Sequence, residues 1–425
     1  MDKSFWWKNT VIYEVYVDKF AKNFRGMSEK LPYLKELGID CIWLLPHYPS
    51  PMVDDGYDVS DYMNIRNGLG TLDDFKKFVQ KSHDMGIRVS IDLVLNHVSV
   101  QHPWFREASS SEKNPKRDFF LWSKTAKEFP DAVNPFAQMK PSNWITNPST
   151  GSGQANDYYF ATFYPQQADL NWDNPEVFIE MMKIVDFWID CGVDGFRFDA
   201  APYLIKREET KCVNLPETHA LLKKIRSHVE SYESDVILIA EVNGPFERIV
   251  EYFGNGDECH MIFNFHLMSA MFMALKRDDK SVLEKIVKNS SNIPDNCQWA
   301  TFLRNHDELT LEHISPARRE ELLKWTDPEK KYTFENRGAS MRLAEIFKGD
   351  KEKILGAFKM LMEAPGSPVI YYGDEIGMRN LDLAQKPADS RKYVRGNFEW
   401  QEADRQAQDP ASLFNALAKL IKDRA

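Results

Sequence analysis

The sequence predicts an α/β protein built as one (β/α)8 TIM barrel with an inserted subdomain after the third strand, and three observations lead there. Eight short β-rich apolar runs recur along the 425 residues, helical patterns separate them, and one long irregular stretch interrupts the alternation. The runs cover residues 11–17, 39–46, 88–95, 193–198, 236–241, 261–265, 299–303 and 369–372. Eight parallel strands, each followed by a helix, is the number that closes such a barrel.

The elements between the strands follow from spacing. Residues 75–85 and 177–191 carry apolar side chains three and four apart, the period of a helix with one buried face, and Gly192 supplies a stop after the second. The stretch from His97 to Asn174 is rich in Pro, Ser, Asn and aromatics and is far too long for an ordinary strand-to-helix loop. It divides the chain into a barrel over residues 1–97 and 175–425 and a subdomain over residues 98–174. Pro365 and Gly366 turn the chain into the last run, and a helix-like segment at 411–422 closes the sequence. No strand-rich region follows that segment, so no C-terminal β-sandwich is expected.

Composition narrows the function. A formal charge of −10 without any long Lys/Arg block argues against nucleic acid or an anionic membrane as partner and favours a neutral substrate. Eleven Trp and sixteen Tyr suit either a large core or a sugar site, where a flat ring covers the apolar face of a pyranose. The five cysteines, Cys41, Cys191, Cys212, Cys259 and Cys297, are scattered and never paired as C-x-x-C, which points to reduced thiols and not to disulfides or zinc. Residues 1–9 have no apolar signal core, and no run approaches the roughly 18 apolar residues of a membrane span. A cytoplasmic location is expected.

In a barrel of this kind the loops after the strands build the active face. Asp92, Asn96 and His97 stand at the end of the third run, Arg197 and Asp199 at the fourth, Glu241 at the fifth, His306 and Asp307 beyond the seventh. One acid at a strand end is ordinarily a cap or a solvated loop residue. Several carboxylates brought to one rim with an Arg and two His are harder to explain, because like charges repel unless a task holds them there. Two carboxyl groups about 5–5.5 Å apart across a glycosidic bond support double displacement with retention of configuration.

The segments Asp92-Leu-Val-Leu-Asn-His97, Gly195-Phe-Arg-Phe-Asp199, Ala240-Glu241 and Arg304-Asn-His-Asp307 resemble, in order, the four motifs of the α-amylase superfamily, glycoside hydrolase family 13. The resemblance implies Asp199 as nucleophile, Glu241 as acid/base with a raised pKa, and Asp307 as the carboxylate that binds the C2 and C3 hydroxyls. Arg197 lies on the same side of its strand as Asp199 and is expected to keep it ionised. His97 and His306 would bind hydroxyls of the same ring. Asp54-Asp55-Gly56-Tyr57-Asp58 is similar to the family segment in which a Tyr stacks on the reacting glucose and an Asp binds O4 or O6; Tyr57 and Asp55 are favoured, with Asp54 the other candidate for the acid. Asn243 and Glu308, close to the acid/base and to Asp307, join the substrate-binding set. In Arg391-Lys-Tyr-Val-Arg395 the substrate-contacting Arg of the family is assigned to Arg395.

Gln167-Ala-Asp-Leu-Asn171 is similar to the form found in the branch with oligo-1,6-glucosidases, α-glucosidases and trehalose synthases, and Ala200 after the nucleophile favours α-1,4 over α-1,6 linkages. The blocks Trp43 to Pro51, Asn214 to His219, Gly256 to Met261 and Ile293 to Trp299 resemble trehalose synthases. The implied substrate is maltose, trehalose or a short α-glucoside. Three departures stand against isomerisation: the calcium loop after the first strand is missing, Val242-Asn-Gly-Pro245 replaces a stretch with a bulky Trp, and the C-terminal sandwich is not seen. A plain α-glucosidase or transglucosidase is therefore the alternative, and a non-catalytic barrel the alternative of another class. The resemblance also implies a structural Ca2+ held by Asn96, Asp169, Tyr203, Leu204 and Lys206, the last three through main-chain oxygens, and no organic cofactor.

Overall fold

A computed structural model describes residues 5–137, 139–147, 156–232, 235–334 and 337–424. Eight strands close into a parallel barrel: β1 (Ile12–Val15), β2 (Cys41–Leu44), β3 (Arg88–Val94), β4 (Gly195–Asp199), β5 (Ile237–Ala240), β6 (Met261–Phe263), β7 (Gln298–Phe302) and β8 (Ser367–Tyr371). Each strand neighbours the next in sequence, and β1 meets β8 with Ile12 opposite Val369. Each expected run overlaps its strand. The eighth starts two residues early because Pro368, which reads as a turn residue, is accommodated opposite Thr301 of β7.

Local chemistry sets the helix ends. The helix Phe24–Leu37 opens with the Asn23 side chain accepting from Gly26 N and ends at Gly38, whose φ of 96° is left-handed and whose N–H returns to the Leu34 and Lys35 carbonyls. The helix Pro175–Asp190 begins two residues before the expected 177–191, since Asn174 caps it and Pro175 takes the first turn, where a missing N–H costs nothing.

The chain divides into two compact units, 1–45 with 77–90 and 243–425, and 46–76 with 91–242. In the first, Trp43 and Trp299 are among the largest fully buried side chains, and the Trp299 indole donates to Ser290 O at 2.7 Å. In the second, the Trp188 indole donates to Tyr62 O at 2.8 Å while its ring packs on Phe75. Burying a large apolar side chain contributes roughly 1.5–3 kcal/mol, so these anchors weigh heavily in each core. The long stretch after β3 carries short strands outside the barrel: His97–Ser99 pairs with Gln167–Asp169, and Trp122–Ser123 and Trp144–Thr146 both pair with Tyr158–Phe160. Residues 138 and 148–155 of the expected 98–174 subdomain lie outside the described residues. Among the described residues no helix is long and apolar enough to cross a membrane, and all five cysteines are buried thiols outside any disulfide.

Candidate active site

Two clusters of charged side chains sit at the strand ends, one in each compact unit. The first is organised by Arg197 on β4. Alternation along a strand puts residues 197 and 199 on one side, and the guanidinium reaches Asp199 Oδ1 at 2.9 Å. It also holds Asp92 Oδ1 at 2.6 Å and Glu241 Oε2 at 2.7 Å. Arg197 and Asp92 are fully buried, whereas the Asp199 and Glu241 side chains are 15% and 23% exposed, so of the three carboxylates these two are open to solvent. Burial opposes the Arg197 charge, but Asp92, Glu241, Tyr57 and Asp199 together raise its pKa well above the usual value. Glu241 thus shares its cation with Asp92 and Asp199.

Tyr57 joins this cluster: its hydroxyl donates to Asp92 Oδ2 at 3.1 Å, and the ring lies 5.7 Å from the Arg197 guanidinium. Asp54 is buried and accepts from Gln167 Nε2 at 2.9 Å, while Asp55 is partly exposed at a left-handed φ of 46°. Ala200, directly after Asp199, is also left-handed at φ 49°, a conformation that a β-branched residue such as Val adopts poorly. His97 is buried beside Asn96 at 3.3 Å; burial pulls its pKa down to about 4, which makes it a neutral imidazole at ordinary pH.

Below His97 lies the set expected to hold calcium. The Lys206 ammonium sits 2.6 Å from Asp169 Oδ2, 2.9 Å from Asn96 Oδ1 and 2.6 Å from the Tyr203 carbonyl. Asp169 further accepts from Thr162 N and Oγ1. The residues do not fit a calcium ion: a protonated amine occupies the centre of three of the oxygens, and Lys206 contributes its side chain where a carbonyl ligand was expected. A divalent cation placed there would meet a buried positive charge. Leu204 is buried next to Tyr203. No group of three or more His, Cys, Asp or Glu that could hold a metal occurs among the described residues.

The second cluster surrounds Asp307. Its Oδ1 accepts from Arg395 Nη2 at 2.8 Å and Arg391 Nη1 at 3.1 Å, and its Oδ2 lies 3.1 Å from His306 Nε2. Burial works against the Asp307 charge, yet His306, Arg391 and Arg395 hold the carboxyl well below the usual range. Glu308, buried beside it, has its pKa raised by burial despite Arg337 at 3.7 Å. Gly244 O accepts from His266 at 2.8 Å, which ties down the turn that follows Asn243.

Sequence reasoning put Asp92 at the end of the third run without giving it a partner, and it gave no role to Glu14 or Arg391. Asp92 and Glu14 bind Arg197 and His306, respectively, from inside strands. Arg391 shares Asp307 with Arg395; its signal was a second Arg in the same segment, Arg391-Lys-Tyr-Val-Arg395.

Comparison with known proteins gives the family of the chain. The model "Alpha amylase, catalytic domain" matches residues 19–339. A trehalose synthase from Thermus thermophilus is 45% identical over 93% of this chain and 41% of its own length. A trehalose synthase/amylase from Mycolicibacterium smegmatis is 43% identical over 88% of this chain and 64% of its own. The chain thus spans about two fifths to two thirds of these relatives. Among solved structures, isomaltulose synthase from Klebsiella sp. LX3 superposes with a TM-score of 0.78 at 26% identity, covering 100% of this chain and 84% of that one. With the family model matched over 19–339, four motifs in order and a closed eight-stranded barrel, the chain belongs to the alpha-amylase family.

Proposed function

We propose that this chain is the catalytic part of a retaining α-glucosyl-transferring enzyme, of the trehalose-synthase type, acting on maltose, trehalose or short α-1,4-glucosides. The observation that carries the reading is Arg197 bound to Asp92, Asp199 and Glu241, which prepares two partly exposed carboxylates on neighbouring strands. Asp199 attacks the anomeric carbon while Glu241 protonates the departing glycosidic oxygen, leaving a β-glucosyl ester on Asp199. Glu241 then takes a proton from the acceptor hydroxyl, which attacks the same carbon and releases Asp199. Before the first step Glu241 must gain that proton, so substrate entry has to loosen its contact with Arg197.

Asp307, ionised at working pH, binds the C2 and C3 hydroxyls, and Arg395 and Arg391 keep it oriented. Tyr57 stacks on the sugar, Asp55 takes O4 or O6, and His97 and His306 bind hydroxyls. Asn243 and Glu308 complete the substrate-binding set. The similarity to trehalose synthases supports maltose as substrate, whereas the small residues after Glu241 favour water as acceptor. Residues 98–174 are read as an inserted subdomain, and five buried cysteines outside any disulfide fit a reducing cytoplasmic compartment.

The test is incubation of the purified protein with maltose, trehalose, sucrose and maltotriose separately, with products resolved over time. Trehalose from maltose supports isomerisation, glucose alone an α-glucosidase, and longer oligosaccharides a transglucosidase. No product from any of the four sinks the enzymatic reading in favour of a non-catalytic barrel.

A further inference from the structure

Glu14 is a fully buried carboxylate for which the proposed reaction has no step. It lies on β1 in register with Trp43 of β2 and Tyr371 of β8, a layer otherwise made of aromatic rings. An acid at such a position is stable only when its charge is answered. Its hydrogen bonds come from His306: Glu14 Oε1 accepts from the His306 main-chain N–H at 3.0 Å and from its ring Nδ1 at 2.6 Å.

Two donors from one residue on one oxygen fix both the backbone and the ring plane of His306. The other ring nitrogen, Nε2, is thereby left 3.1 Å from Asp307 Oδ2. Tyr16 and Trp43 close the sides edge-on, with ring centroids at 6.2 and 6.0 Å. The charged groups around the imidazole are Glu14 and Asp307, with Arg395 donating to the His306 carbonyl, Arg391 reaching Asp307 and Arg304 under the influence of Glu14.

We propose that Glu14 is a positioning residue for glucosyl transfer: it holds His306 through Nδ1 so that an Nε2–H is presented beside Asp307, where the sugar hydroxyls bind. The inference rests on the reading of Asp307 as a substrate-binding carboxylate. With Nδ1–H given to Glu14, a second N–H aimed at Asp307 makes His306 an imidazolium. Burial opposes that charge, but Asp307 and Glu14 outweigh it and lift the pKa to about 9. Deprotonation would turn Nε2 from a donor into an acceptor facing a carboxylate.

The experiment uses the whole chain labelled with 15N-histidine, the His306 signals assigned by their loss in His306→Gln. Both ring nitrogens of His306 are expected to stay protonated through pH 8. In Glu14→Gln, which keeps an acceptor oxygen but removes the charge, the titration is expected to fall by a unit or more, about tenfold in the charged fraction above it. The alkaline limb of kcat/KM should move with it. Titration of His306 near 6.5 in the wild type, or at the same pH in Glu14→Gln, overturns the proposal. If the resonances behave as expected but the wild type cleaves no α-glucoside, it is the functional reading that fails.

Discussion

Arg197 Nη1 lies 2.9 Å from Asp199 Oδ1, and the same guanidinium is the shared partner of Asp92 and Glu241. One cation among three carboxylates is a geometry that only a planar fork satisfies, since a lysine ammonium is a single point charge. Arg197→Lys should therefore leave at least one buried or half-buried carboxylate unanswered. Breaking a buried pair costs about 3–5 kcal/mol, and a loss of that order in urea unfolding is expected, together with at least a hundredfold drop in kcat/KM. A variant as stable and active as the wild type would show that the three contacts are dispensable.

The two reacting carboxylates separate by leaving group. Asp199→Asn removes the atom that forms the ester and should reduce turnover by several orders of magnitude on every substrate. Glu241→Gln removes the proton donor, worth about 100- to 10,000-fold with a sugar leaving group. It should matter far less for ester formation from an aryl glucoside whose phenolate needs no proton. Pre-steady-state release of the phenol measures this directly. Equal loss on both substrates would count against Glu241 as the acid.

At Lys206, a buried ammonium surrounded by Asn96, Asp169 and Tyr203 answers the charge that a metal would otherwise supply. The melting temperature of the wild type should accordingly be unchanged by a strong chelator or by added calcium. Lys206→Ala strands the Asp169 carboxylate and should destabilise the fold by about 3–5 kcal/mol. Added calcium should then recover part of the loss by binding the vacated oxygens. Chelator-sensitive melting of the wild type would overturn this assignment.

How far the sequence carries the fold is visible at particular residues. Gly195-Phe-Arg-Phe-Asp199 announces β4 because an apolar run ends in charge, and each barrel strand overlaps an apolar run. The strands at 122–123, 144–146 and 158–160 have two or three residues each, too few for a period of two to show. Glu14 was passed over because a polar residue within Ile12-Tyr-Glu-Val15 looks like ordinary in-and-out alternation, and only barrel closure puts it inside. Lys206 was placed at the right spot for the wrong atom: spacing locates a residue, but whether its carbonyl or its side chain points inward depends on the backbone.

Glu375 sits in an aromatic setting on the same principle, with Oε1 accepting from Tyr13 at 2.7 Å and Tyr33 at 2.9 Å. Burial dominates the two hydrogen bonds, Asp374 adds repulsion, and the pKa rises from 4.5 to about 7. The unfolded chain ionises this group first as pH rises, so the folded state loses stability between about pH 4.5 and 7 and nothing further above that. Glu375→Gln has no proton to lose and should escape the decline. A raised pKa of this size is worth up to about 3 kcal/mol, so the variant should gain on the wild type by roughly that amount between pH 4.5 and pH 8. Any fixed cost of burying the amide N–H2 enters equally at both pH values and cancels in the difference. Urea unfolding of both proteins at the two pH values measures it, and a stability difference that does not change with pH would mean that Glu375 is already ionised in the folded protein.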